Sequence, residues 1–115
     1  MNTTALPSAL EVEALSTLVN ITPILSSSYE KNIERQQRMG NGYPCVVCGK
    51  DSDFKYAVNC VEGDTVEIIA KRFDNLSGTS LAAGHMGFYP VGSSCVKALK
   101  KFLGDKADDY IQVEL

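Results

Sequence analysis

The motif Cys45-x-x-Cys48-Gly49 constrains the fold of this chain more than any other feature of the sequence. A Cys-x-x-Cys turn followed by glycine lets two thiolates converge on one tetrahedral ion. Cys95 follows a Gly-Ser-Ser turn, which is typical of the first turn of a helix, where backbone N–H groups stabilise a negatively charged sulfur. These three cysteines therefore predict a structural Zn²⁺ site.

The chemical state of the cysteines follows from the rest of the sequence. The most apolar stretch, from Ala9 to Leu25, is interrupted by two glutamates and by Pro23, so we expect neither an export signal nor a membrane span. This predicts a cytoplasmic protein, in which four cysteines stay reduced and bind metal rather than form two disulfides. A thioredoxin-like redox pair is disfavoured, because a polar run rather than a helix follows Gly49.

The first 42 residues have helical periodicity. Ser8 and Glu11 form a capping-box pattern before an apolar stripe, which predicts a first helix from about Ala9 to Val19. A second helix is predicted from near Ser28 to Met39. We expect the two to form an αα-hairpin that covers either the zinc module or a second copy of the chain. Its apolar side chains require such a burial partner, and a homodimer is the simplest choice. These side chains are Leu10, Leu15, Leu18, Ile24, Ile33 and Met39.

The remainder of the chain alternates between strand and helix signals. Alternating apolar residues on both sides of the Glu62-Gly63-Asp64 turn predict a β-hairpin over residues 54–73. A short strand over residues 86–91 follows a small, polar loop. Ser93 or Ser94 is expected to cap a helix over residues 95–103, and residues 111–115 are expected to add a terminal strand.

This order of elements resembles a treble-clef zinc finger. More narrowly, it is similar to small zinc-finger proteins of bacteriophages and mobile elements, which carry Cys-x-x-Cys-Gly-Lys and later Met-Gly-Phe-Tyr-Pro-Val-Gly-Ser-x-Cys-x-Lys. Here these motifs are residues 45–50 and 86–97. The predicted fold class is α+β, with a helical segment (1–42) followed by a treble-clef-like zinc module (43–115). The resemblance implies a fold and a metal, and it does not imply an activity.

The fourth zinc ligand is not evident from the sequence. A typical treble clef places a ligand three residues before the last one, and that position is Gly92. His85 is the predicted fourth ligand, because neighbouring glycines would let the chain fold back toward the site. Cys60 is the main alternative, but it falls on the apolar face of a predicted strand and is expected to be a core thiol. Asp51, Asp53 and a water molecule complete the set of candidates.

An enzymatic function is not expected. Zinc deaminases combine His-x-Glu with a later Pro-Cys-x-x-Cys, and only the second half of this pattern is present, at residues 44–48. The sequence also lacks a Gly-rich phosphate loop before a helix and a Gly-x-Ser-x-Gly nucleophile motif. We therefore expect a binding protein.

Two classes of partner remain. The net charge of −3 argues against a protein that mainly binds phosphates, and together with the phage-like resemblance it favours docking on a host or phage protein or nucleoprotein complex, with inhibition as one outcome. The alternative is a nucleic-acid-binding zinc finger that uses a basic surface after the third cysteine. The residues of that surface would be Lys97, Lys100, Lys101, Lys71 and Arg72.

Overall fold

An antiparallel sheet organises the chain. The computed structural model describes residues 9–39, 43–52, 55–62 and 66–113. The sheet has five strands: β1 (Val19–Asn20), β4 (Tyr56–Val61), β5 (Glu67–Ile69), β6 (His85–Val91) and β7 (Ile111–Val113). Their order is β1-β5-β4-β6, and β7 pairs with β4 on the same edge as β5. A separate two-stranded ribbon joins β2 (Tyr43–Pro44) to β3 (Asp51–Ser52). The helices are α1 (Ala9–Ser16), α2 (Tyr29–Met39), α3 (Ser93–Leu103) and α4 (Ala107–Tyr110).

The strand predictions agree with this sheet. Cys60 of β4 lies opposite Ile68 of β5, so the two strands of the predicted β-hairpin pair as expected. Gly63 and Asp64 of its predicted turn lie outside the described residues. Tyr56 lies opposite both Val91 of β6 and Val113 of β7, so β4 is the central strand of the sheet and the terminal strand joins it as predicted. The α+β class is therefore confirmed at the level of an antiparallel sheet with helices.

Both faces of the sheet are covered, because the side chains of β4 alternate between two apolar clusters. Val58 and Cys60 belong to the first cluster, with the cysteine turn and α3. Val61 belongs to the second cluster, with α1 and the loop that follows β5. Leu76 is 1% exposed and holds this loop against the sheet. A central strand that is buried on both faces accounts for its run of buried side chains.

The N-terminal segment differs from the predicted helical hairpin. The first helix ends at Ser16, because the Thr17 hydroxyl donates to the Ala14 carbonyl (2.8 Å) and accepts the backbone N–H of Ala70 (3.2 Å). Val19 then pairs with Ile68, so residues predicted to end a helix form an edge strand instead. Ser8 of the predicted capping box lies outside the described residues.

The two helices of this segment contact different parts of the molecule. Ala14 of α1 is buried in the second cluster, whereas α2 begins beside the cysteine turn. Leu18 and Ile24 pack on the second and the first cluster respectively, so both are partly buried within the chain itself. Leu10 and Leu15 remain 40% exposed, and the predicted homodimer stays a prediction.

The amphipathic helix α3 lies directly after the edge strand β6. It begins at Ser93, earlier than predicted, and Gly92 occupies the N-cap position, so neither serine is the cap. It ends at Leu103, and Gly104 occupies the C-cap position with a φ of 63°, a conformation that glycine adopts readily. Val96 and Leu99 face the first cluster, while the three predicted lysines of this helix are exposed. Within the described part of the chain, no helix has the length and apolar character needed to cross a bilayer.

Candidate metal centre

The turn that contains Cys45 and Cys48 is closed by its own backbone. The N–H of Cys45 donates to the Lys50 carbonyl (2.7 Å), and the N–H of Gly49 donates to the Cys45 carbonyl (2.8 Å). Gly49 has a φ of 77°, and a Cβ at this position would lie 2.7 Å from the carbonyl oxygen of Tyr29. The glycine of the motif is therefore required both by the turn and by the close approach of α2.

The start of α2 supports this turn from outside. The N–H of Ser26 donates to the Val47 carbonyl (3.0 Å), and the side-chain amide of Asn32 donates to the Cys48 carbonyl (2.7 Å). Asn32 is only 8% exposed, so its side-chain amide is largely withdrawn from water. Because a buried amide must keep its hydrogen-bond partner, Asn32 fixes the position of the turn. Sequence reasoning missed this residue, since an Asn within a charged helix gives no local signal of burial.

Cys95 is brought to the turn by β6 and α3. The N–H of Val46 donates to the Pro90 carbonyl (2.9 Å), which joins the turn to the end of the strand. The N–H of Cys95 donates to the Gly92 carbonyl (2.9 Å) within the first turn of α3. The sulfur atoms of Cys45, Cys48 and Cys95 all lie within 4.8 Å of one another. The structure therefore brings together the three cysteines that the sequence predicted as ligands.

Hydrogen bonds favour the thiolate form of Cys45. Its sulfur accepts the backbone N–H groups of Gly92 (3.1 Å) and Val47 (3.4 Å). Burial raises the pKa of this thiol, but the hydrogen bonds from Gly92, Cys48 and Val47 outweigh burial, and the pKa is lowered overall. Burial, with the neighbouring Cys45 charge and thiol hydrogen bonds, raises the pKa of Cys95 to about 12. Three thiols this close cannot all ionise without a cation, and this is the electrostatic situation that a metal ion relieves.

The donor set restricts which ion fits. Three thiolate sulfurs form a soft site, which suits Zn²⁺ better than Mg²⁺ or Ca²⁺. Zinc–sulfur bonds of about 2.3 Å in a tetrahedron separate sulfurs by about 3.8 Å, so the observed spacing needs only small side-chain adjustments. The three cysteines can therefore hold one metal ion.

His85 is not brought to this cluster. It begins β6, whereas the cysteines lie beyond the opposite end of that strand, and an extended strand of this length spans on the order of 20 Å. The Nε2 of His85 instead lies 2.6 Å from the Oδ1 of Asn59. Asn59 is fully buried, and its side-chain N–H donates to the Phe73 carbonyl (2.8 Å). The structure thus places the predicted fourth ligand in a hydrogen-bonded pair on the sheet.

The other candidates for the fourth position also differ in location. Cys60 is 3% exposed and lies within the first apolar cluster, as expected of a core thiol. Asp51 is exposed and lines a cavity of about 520 Å³ beside Cys48, while Asp53 lies outside the described residues. At Gly92 a Cβ would lie 3.8 Å from the sulfur of Cys45, so the usual treble-clef ligand position is next to the cluster and holds no side chain.

The five basic residues proposed for nucleic acid fall into two groups. Lys97, Lys100 and Lys101 are exposed on α3. Lys71 and Arg72 follow β5, where the Lys71 ammonium donates to the Ile111 carbonyl (3.4 Å) and the Arg72 guanidinium lies 4.5 Å from the centre of the Phe73 ring. Lys71 is therefore half-buried and engaged within the chain, whereas Arg72 and the three α3 lysines are exposed.

A second cavity, of about 420 Å³, borders the cluster on the side of α2. Both half-buried cysteines, Cys48 and Cys95, contribute to its wall, whereas Cys45 is 1% exposed. Its lining also includes cationic and hydroxyl side chains that sequence reasoning did not connect with the cysteines. These are Ser26, Ser28, Lys31, Arg35, Lys50 and Ser94.

Comparison with models of protein families, with curated proteins and with solved structures gave no match for this chain. The assignment of the site therefore rests on its geometry.

Proposed function

We propose that the chain is a small binding protein that one Zn²⁺ ion stabilises. The observation that carries this proposal is the convergence of three sulfurs within 4.8 Å from two segments that are distant in sequence. The ion would join the cysteine turn to the start of α3 and so hold one end of the sheet. In a module of this size, metal ligation contributes directly to the free energy of folding.

Metal analysis tests the structural part of the proposal. Protein purified under reducing conditions without chelator should contain one zinc per chain. Chelation should lower the melting temperature and loosen the contact between the cysteine turn and α3, which hydrogen exchange of the Val46 and Cys95 amides would report. Protein with no stoichiometric metal and an unchanged melting temperature after chelation would contradict it.

We further propose that its partner is a host or phage protein or nucleoprotein complex. The acidic net charge and the resemblance of the motifs at residues 45–50 and 86–97 to those of phage zinc-finger proteins support this partner class. Several exposed apolar side chains would suit a protein interface better than a phosphate backbone. They are Leu10, Val12 and Leu15 on α1, Met86 and Tyr89 on β6, and Phe102 on α3.

A non-enzymatic role is part of this proposal. Its support is the absence of a His-x-Glu motif before the cysteine pair, since zinc deaminases use that glutamate to transfer protons.

A nucleic-acid-binding zinc finger is the second candidate, because Lys97, Lys100 and Lys101 are exposed on one helix. The salt dependence of partner binding separates the two. Binding through phosphates weakens steeply as salt rises, with a slope set by the number of cationic contacts, whereas an apolar protein interface shows a shallow slope.

Pull-down of the tagged protein from infected or host cells would identify the partner. Tight binding to bare DNA or RNA at physiological salt, abolished by changing the three lysines to Glu, would favour the second candidate.

A further inference from the structure

The cavity between α2, the cysteine turn and the start of α3 concentrates positive charge. Lys31, Arg35 and Lys50 all line it, and among the described residues no Asp or Glu does. Like charges that share one cavity repel each other, and a bound anion relieves this repulsion. This local positive charge contrasts with the net charge of −3 on the whole chain.

One face of α2 supplies most of the polar wall. Lys31 and Asn32 lie four and three residues before Arg35, so all three lie on the same side of the helix, and Ser28 directly precedes its first residue. Asn32 is buried and fixes this face against the Cys48 carbonyl. The two cations are therefore carried by a helix whose position is set by a hydrogen bond from a buried side chain.

Hydroxyl groups complete the polar lining. Ser26 Oγ accepts the N–H of Ser28 (3.1 Å), so the Ser26 hydroxyl keeps its proton for donation to a ligand. Ser94 lies in the first turn of α3, whose N-terminus carries a partial positive charge. Cations, hydroxyl donors and a helix N-terminus are the groups that bind phosphate oxygens in proteins.

The size of the cavity limits the ligand. A volume of about 420 Å³ lies in the range of about 300 to 1,000 Å³ that small-molecule sites occupy, and it exceeds the space that one phosphate ion needs. A ligand with a phosphate group and a small organic part would fill it. Three thiolates and one Zn²⁺ leave one negative charge, so the three cations keep the cavity positive when the metal is bound.

We propose that this cavity binds a small phosphomonoester, with Lys31, Arg35 and Lys50 contacting the phosphate oxygens. The site goes beyond the proposed docking function and does not depend on it. It would give the protein a ligand-binding site within reach of its metal centre.

Calorimetric titration of the full-length protein with inorganic phosphate, glycerol 3-phosphate and adenosine 5′-monophosphate tests the proposal. The first probe measures the phosphate contribution, and the other two show whether an organic part adds affinity. We expect at least one monoester to bind more tightly than inorganic phosphate. The double variant Lys31→Gln/Arg35→Gln should weaken monoester binding at least tenfold.

The matched control is Lys97→Gln/Lys101→Gln, which removes the same charge from exposed positions of α3 that do not line the cavity. It should change the affinity less than twofold. Zinc content and melting temperature are measured for every sample, so loss of ligand binding in a folded, zinc-loaded variant is separated from loss of the fold. Equal weakening by both double variants, or no binding of any phosphate probe by zinc-loaded wild-type protein, would overturn the cavity proposal while the zinc proposal stands. Binding of a single-stranded oligonucleotide but of none of the small probes would also overturn it.

Discussion

The backbone N–H of Gly92 donates a hydrogen bond to the sulfur of Cys45 across 3.1 Å. This bond joins the residue that precedes α3 to the first cysteine of the turn. It also places Gly92 at the edge of the sulfur cluster, where a side chain could reach the metal.

Gly92→Cys should create a four-cysteine site. The backbone of Gly92 (φ −65°, ψ 152°) suits any residue, and its Cβ would lie 3.8 Å from the sulfur of Cys45. A fourth thiolate should tighten zinc binding at least tenfold, which competition with a chromophoric chelator would measure. Gly92→Ala, which adds the Cβ without the sulfur, should leave the affinity within about twofold. If Gly92→Cys binds zinc no more tightly than the wild-type protein, the metal lies beyond the reach of a side chain at position 92.

Exchange of single cysteines should separate ligands from core thiols. Cys95→Ser should remove stoichiometric zinc, because two thiolates hold the ion far more weakly than three. Cys60→Ser should keep the zinc and lose about 1 to 3 kcal/mol of stability, since it places a hydroxyl in an apolar cluster. Metal analysis and urea unfolding of both variants give the two readouts. Loss of zinc from Cys60→Ser, with zinc retained in Cys95→Ser, would show that Cys60 is the ligand and Cys95 the core thiol.

His85→Ala should keep its zinc. The imidazole contacts the Asn59 side chain, so its removal deprives a fully buried amide of one partner and should cost about 1 to 3 kcal/mol. Metal analysis after gel filtration checks the first expectation and thermal unfolding the second. Loss of zinc from a variant that remains folded would restore His85 as the fourth ligand that the sequence predicted.

Gly49→Ala should destabilise the junction of α2 with the cysteine turn. The substitution forces a Cβ to within 2.7 Å of the Tyr29 carbonyl oxygen and also strains a positive φ. Gly78→Ala is the matched control, because Gly78 has a φ of 84° but no atom within 4 Å of the place where a Cβ would lie. We expect a loss of about 1 kcal/mol in the control and at least twice that in Gly49→Ala. Equal losses in urea unfolding would mean that the contact with α2 contributes nothing.

The stability of the zinc-bound protein should fall at alkaline pH. Burial raises the pKa of Cys60 from 9.0 to about 12 in the folded protein. Below pH 9 the thiol is neutral in both states and its contribution is fully present. As the pH rises from 9 toward 12, the unfolded chain loses this proton first, so the unfolded state is favoured. Cys60→Ala should make the decline in stability over this range less steep. The decline that remains would come from Tyr29 and Tyr110, whose pKa values burial also raises. An unchanged slope would show that Cys60 ionises as easily in the folded state.

The elements predicted correctly are those that local chemistry defines. The Cys-x-x-Cys-Gly turn, the β-hairpin around Glu62 and the end of α3 at Gly104 each depend on residues within a few positions of each other. Turn residues and the alternation of apolar side chains were therefore sufficient to predict these three elements from the sequence. The convergence of Cys95 with the turn was also predictable, because thiolates at a turn and at a helix start are a known combination of metal ligands.

The remaining features depend on contacts between distant segments. Val19 joins the sheet because it pairs with Ile68 at the edge of β5, and Asn32 is buried because α2 packs on the cysteine turn. No local sequence pattern predicts either contact. His85 was assigned to the metal because neighbouring glycines would let the chain fold back toward the site, whereas the direction of β6 carries it to Asn59. Lys31 and Arg35 look like ordinary surface residues of a charged helix, and only the packing of α2 beside Cys48 makes them the wall of a positive cavity. Local free-energy preferences set the elements, and the burial of apolar surface across the whole chain set which residues meet.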